Sequence, residues 1–182
     1  MTNNPFLKQI TNRNFLSPVG FKFNLQKKPK IDFFSNNVNL PGINLGVAMQ
    51  PTPLKAIPIP GETLTFDDFS LRFVVDEDME NYIEVWNWLC QFGFPKDFSQ
   101  YQQLLNEDER TPGVQNAISG MSDGTLIIYN SSYNPNIKVE FKDLFPVSLS
   151  AIQFDSTSQD ITYASAEVVF KYTIYDIMRV SQ

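Results

Sequence analysis

The chain has 182 residues and a formal net charge of −6, enough length for one domain with a sizeable core and an acidic balance that excludes a free-standing nucleic-acid binder with a basic face. It contains no histidine and one cysteine, Cys90, which excludes an intramolecular disulfide and every Ser-His or Cys-His nucleophile pair. No apolar run approaches the roughly 20 residues of a membrane span, and the N-terminus lacks the apolar core of a signal peptide, so synthesis in a reducing cytoplasm and no membrane contact are expected.

Sixteen Phe and seven Tyr, most of them in short alternating runs, favour sheet. Residues 1–18 read as an N-terminal arm and 19–182 as a single domain. Phe21, Phe23 and Leu25 share one face of a first strand. Lys27, Lys28 and Lys30 around Pro29 form a solvated turn leading to a second strand from Ile31 to Phe34, paired with the first as a hairpin. The stretch at about 41–60 holds Pro41, Pro51, Pro53, Pro58 and Pro60, which bar an ordinary central strand, yet it is apolar and nearly uncharged. It reads either as an Ω-like loop folded on its own domain or as an extended arm on a neighbouring subunit. The candidate contact residues of such an arm are Leu40, Pro41, Gly42, Val47, Met49, Leu54, Ile57 and Pro60.

Thr63–Val75 is predicted as one long strand whose apolar parity changes between Leu64, Phe66 and Phe69, Leu71, Phe73, Val75. A β-bulge at Asp67-Asp68 would keep all six facing the core. Asp76 is a helix N-cap, with Glu77, Asp78 and Glu80 in the first turn. The spacing of Met79, Tyr82, Ile83, Trp86, Leu89 and Cys90 predicts the buried face, with Cys90 a small core residue, and Gly93 and Pro95 end the helix. An irregular insertion is expected at about 95–123, where Phe98, Tyr101, Leu104 and Leu105 allow a short helix. Further strands are predicted at Thr125–Tyr129, around Ile137, Val139 and Phe141 after an Asn130–Asn136 turn, at Val147–Phe154, and at Tyr163–Ile177 with Ala166, Val168, Phe170, Tyr172 and Ile174 on one face. The predicted class is mainly β (α+β), two packed antiparallel sheets in a sandwich or open barrel with one flanking helix.

Chemistry is sparse. Carboxylates cluster at Asp67-Asp68, at Asp76–Glu80 and at Glu107–Glu109, and a bulge, a helix cap and a solvated loop account for them. Asp76–Glu80 lacks the loop spacing of an EF-hand. No catalytic, metal or cofactor site is assigned, and no enzyme is expected. A sheet protein must nonetheless protect its edges, and rings of identical subunits do so by continuing each sheet into the next copy.

The order of landmarks resembles the tail tube proteins of contractile-tailed bacteriophages. Phe21–Leu25 leads to Asn39-Leu40-Pro41-Gly42, similar to the family's Leu-Pro-Gly, and the chain then passes through Pro60-Gly61-Glu62 to Thr65-Phe66-Asp67-Asp68-Phe69. Asp76-Glu77 opens a helix bearing Trp86 and Trp88, and Phe141–Pro146 precedes Leu149–Asp155. Gly61, Phe66, Asp67, Asp68, Phe69, Asp76 and Trp86 carry the motif; Phe69 stands where the family commonly has Trp. The resemblance implies a structural virion protein of the inner tail tube, assembled in the host cytoplasm. It implies stacked homohexameric rings, sheath and baseplate proteins as partners, and DNA passing through a lumen without specific binding. Related tube-initiator or tail terminator proteins, and the tube proteins of bacterial contractile secretion systems, share that architecture.

Overall fold

Alternation of large apolar side chains sets the first strand, β1 (Phe21–Leu25), in which Phe23 and Leu25 are fully buried. The computed structural model describes residues 14–28, 34–93, 95–99, 102, 120–155, 157 and 163–180. These form β1, β2 (Ser35–Val38), β3 (Ile43–Gln50), β4 (Ile57–Phe66), β5 (Phe69–Val74), the helix α1 (Glu80–Gly93), β6 (Ser122–Tyr129), β7 (Pro135–Leu149), β8 (Ser165–Lys171) and β9 (Ile174–Arg179). All strand pairs are antiparallel. One layer runs β1-β6-β7-β9 and the other β7-β8-β5-β2, so β7 belongs to both. The fold is mainly β, two antiparallel layers with one flanking helix, and β3 and β4 stand apart as a two-stranded ribbon.

The layers close on a core of aromatic rings. Phe69 sits 5.1 Å from Phe23, 4.5 Å from Phe141 and 6.0 Å from Phe170, centroid to centroid. Trp88 on α1 caps the cluster 5.9 Å from Phe170, and its indole N–H donates to the Gly120 carbonyl (2.9 Å). Burying such rings supplies most of the drive to fold.

Several expectations are corrected by strand pairing. β1 pairs with β6, and β2, which begins later than expected, pairs with β5; Lys30 and residues 31–33 lie outside the described residues. The parity change near Asp67-Asp68 is a corner between sheets, not a bulge in one ladder, because β4 pairs with β3 while β5 pairs with β2 and β8. Phe69, Leu71 and Phe73 are buried, but Leu64 is exposed. The same reasoning divides the last predicted strand at Tyr172-Thr173, beyond which Tyr175 is buried and Ile174 exposed. Conversely, two predicted strands merge, since β7 runs unbroken to Leu149 with Pro146 inside it.

The helix starts later and is rotated relative to the prediction. Asp76 caps it from a distance, its carboxylate accepting from the Glu80 and Asn81 amides (both 3.1 Å), while Met79 takes a positive φ of 55°. The buried stripe is Asn81, Val85, Trp88 and Gln91, whereas Ile83 and Trp86 face outward. Asn81 wins its buried place because its side-chain N–H donates to the Val74 carbonyl (2.8 Å), a bond that hydrophobic spacing does not reveal. Cys90 is half-buried. Of the expected short helix, Phe98 is exposed; Tyr101, Leu104 and Leu105 lie outside the described residues.

Candidate assembly surface

The proline-rich stretch expected as a loop is instead most of the β3-β4 ribbon, with Pro51 and Pro53 in its turn. Pro58 and Pro60 are tolerated because they lie two apart on a strand with a single neighbour. Their donor-less nitrogens turn to the outer edge, where no ladder is missing a bond. That edge of β4 is thereby blunted against pairing, while the outer edge of β3 has no proline.

The root of the ribbon is tied tightly. The Asp67 amide donates to the Gly42 carbonyl (3.0 Å), and the Asn44 side chain donates to Asp67 Oδ1 (3.3 Å). Two tyrosines at the β8–β9 corner complete the knot: the Tyr175 hydroxyl donates to the Pro41 carbonyl (3.0 Å) and the Tyr172 hydroxyl to the Asp67 carbonyl (2.9 Å). Phe66 packs on both rings, at 5.7 Å from Tyr175 and 6.1 Å from Tyr172. Lys171 pairs with Asp68. Two motifs distant in sequence, Leu40-Pro41-Gly42 and Thr65–Phe69, thus meet at one point. At Gly42 a Cβ would lie 2.6 Å from Asp67 Oδ2, so a larger residue there would displace that carboxylate.

Beyond the root the ribbon leaves the body. Every residue of β3 is exposed. The register opposes Ile43 to Phe66, Leu45 to Leu64, Val47 to Pro60 and Met49 to Pro58. Between the middle pairs, three β4 residues (61–63) face one β3 residue (46), an excess of two that preserves parity. One face is therefore apolar except for Glu62 at the irregularity, and the other carries Asn44, Thr65, Ala48, Ile59, Gln50 and Ile57. At the irregularity the two chains touch through glycines, a Cβ on Gly61 falling 2.5 Å from the Gly46 carbonyl oxygen.

Of the residues singled out in sequence, Val47, Met49 and Pro60 share the apolar face, Leu54 is 98% exposed in the turn, and Ile57 lies on the opposite face. Pro41 is buried in the root and Leu40 is exposed beside it. Trp86 lies on the helix and Asp76 caps it, and neither takes part in the ribbon. Sequence reasoning missed Ile43, Leu45 and Leu64, which extend the face; the every-second-residue run Ile43, Leu45, Val47, Met49 was the signal, masked by the prolines.

A second surface is the uncovered side of the β1-β6-β7-β9 layer, whose other side carries the core. Its charges balance, Lys22, Lys138 and Lys142 against Asp123, Glu140 and Asp176, and the register places Ile127, Ile174 and Met178 on the same side. Lys138 pairs with Glu140 (2.5 Å), and Lys142 Nζ with Asp123 Oδ2 (3.2 Å). The Asp123 hydrogen bond and then its charge raise the Lys142 pKa. A depression of about 380 Å³ on this side is lined by Asn24, Gln26, Asp123, Lys138, Glu140 and Lys142 among others. Among the described residues no group of three or more His, Cys, Asp or Glu is placed to hold a metal ion, and no helix is long and apolar enough to cross a membrane. The Asp76 carboxylate, considered above for calcium, is engaged with two backbone amides.

A family model described as phage tail tube protein matches residues 2–178. Among solved structures, the chain is similar to one in the sheath–tube complex of the PVC extracellular contractile injection system in its extended state, with 16% identity, TM-score 0.56, covering 92% of this chain and 94% of that one. It is similar to one in the tube-terminating cap of the anti-feeding prophage, with 14% identity, TM-score 0.56, and 96% and 97% covered. A third similarity is to a chain in the anti-feeding prophage baseplate, at 11% identity, TM-score 0.57, and 87% and 90% covered. At these identities the likeness is one of fold. No curated protein sequence matches the chain.

Proposed function

The chain belongs to the phage tail tube protein family, and we propose that it is a non-enzymatic subunit of the inner tube of a contractile tail, built as stacked homohexameric rings. The observation that carries this reading is the ribbon: a two-stranded ribbon is marginal alone in water, yet this one is held rigidly at its root and bare along its apolar face. Another protein surface must cover that face. The nearest supply is a second copy, as Leu40, Val47, Met49, Leu54 and Pro60 contact the next ring.

Ring closure uses the free edges. Among the described residues β1 pairs only with β6, and β9 only with β7, so the layer they bound can continue into neighbouring copies on both sides. The second layer and α1 occupy one side of it, which leaves the charge-balanced side to face a lumen. Three cations against three anions offer a polyanion no net attraction there, suiting DNA that passes without binding. The outward side presents α1 with Glu77, Asp78 and Glu80 near its start, available to sheath and baseplate proteins, with the virion tail as the site of action.

Electron microscopy of the purified protein tests the proposal. Rings or hollow tubes are expected, and monomers alone at high concentration, with or without a nucleating partner, overturn it. Copy number in purified particles separates a tube, in the hundreds, from an initiator or terminator of about one ring.

A further inference from the structure

The β5–β8 register defines two ends of the molecule: Phe69 faces Phe170 at one, and Val74 faces Ser165 at the other. The ribbon springs from the first, since Phe66 and Asp67 directly precede Phe69 and are held by Tyr172. At the second end, the Val75 amide donates to the Ala164 carbonyl (2.8 Å). There the two limbs of the β7–β8 connection part around a cleft of about 450 Å³, lined by Ala151, Ile152, Phe154, Asp155, Tyr163 and Ala164. Phe154 and Tyr163 are each 80% exposed.

Aromatic walls beside a carboxylate suit a proline-rich apolar segment that carries a cation. The turn of the ribbon is such a segment, Pro51-Thr52-Pro53-Leu54-Lys55. It is pre-shaped by the Thr52 hydroxyl, which accepts from the Lys55 amide (3.2 Å). The Lys55 ammonium has no ion pair with another described residue. On the cleft side, the Thr157 hydroxyl and amide donate to Asp155 Oδ1 (2.6 and 2.8 Å) and hold its pKa below the usual value, so it is ionised at neutral pH.

We propose, on the reading that copies of this chain stack, that the turn of one copy seats in the cleft of the next, Leu54 entering between Phe154 and Tyr163 and Lys55 pairing with Asp155. Donor and acceptor lie at opposite ends of one ladder, so the contact is head-to-tail and propagates instead of closing into a dimer. The eight residues of β3 carry the turn up to about 26 Å from its root, at roughly 3.3 Å each.

Charge exchange tests the pairing. Lys55→Asp and Asp155→Lys each place like charges in the contact and should raise the concentration needed for tube formation by about tenfold or more, the penalty repeating at every subunit. The double variant restores the pair and should return that concentration to within about threefold of wild type. All three should melt with the wild type, as both side chains are exposed. Singles that assemble normally, or a double variant no better than the singles, overturn the pairing while leaving tube formation standing. A wild-type protein that forms no tubes removes both.

Discussion

Leu54→Ala separates assembly from folding. With Leu54 98% exposed, the side chain contributes almost nothing to the fold of a single copy, and its whole apolar surface is available to a neighbour. Truncation removes about three carbons, at about 0.8 kcal/mol each when buried. The contact should weaken by about 2.4 kcal/mol, or about 50-fold in its association constant. Sedimentation of assembled protein across a concentration series reads that change directly, with calorimetric melting of the unassembled protein as the control. The same substitution at Leu71, which is fully buried, should do the reverse, costing about 2–5 kcal/mol of stability. If Leu54→Ala lowers the melting temperature as Leu71→Ala does, the turn packs on its own body. If instead the assembly threshold does not move, the turn touches no neighbour. Either result refutes the reasoning.

Three further outcomes are expected. Gly61→Ala sets a Cβ against the Gly46 backbone, where only a shift of the ribbon can relieve it; melting should stay close to wild type while tube formation, followed by microscopy, is lost. Asp76→Ala removes the acceptor for two helix amides and should cost about 0.5–2 kcal/mol in denaturant unfolding. Tyr172 has its pKa raised from 10.0 to about 12, by burial first and then by Tyr175, Asp67 and Asp68. The fold holds that proton more tightly than the unfolded chain, so its contribution is complete below pH 10 and lost between pH 10 and about 12. The hydroxyl is only half-buried, which keeps the effect below the roughly 2.7 kcal/mol of a two-unit shift. Phenolate absorbance should show a late-titrating tyrosine that is absent from Tyr172→Phe.

Strand existence was legible wherever one side of a strand meets the core: Phe23 and Leu25, Phe69 to Phe73, Val139 and Phe141, and Ala166 to Phe170 all alternate as a half-buried strand must. Partnership was not, because alternation says which side is covered and nothing of the neighbour, so β2 was assigned to β1 when it belongs to β5. The parity changes at Asp67-Asp68 and Tyr172-Thr173 were visible or latent in the same pattern, but a bulge and a corner shift parity alike. The helix face was misplaced because Ile83 and Trp86 are apolar yet outward, while Asn81 is polar yet inward, its side-chain N–H bonded to the Val74 carbonyl. In the ribbon, prolines hid strands that need only one hydrogen-bonded edge, and the cleft formed by Phe154 and Tyr163 depends on two limbs brought side by side by β7 and β8, which no local pattern records.

The fifteen residues of β7 have a mechanical consequence. The strand turns from one layer into the other at Asp143, whose φ is +55° and whose amide donates to Asp123 Oδ1 (3.2 Å). A pull along it loads the rungs to β6 and β9 ahead of that turn and those to β8 behind it, all in shear, so no rung can peel away singly. Neither half can yield without dragging on the other, which makes this strand the tensile member of the fold.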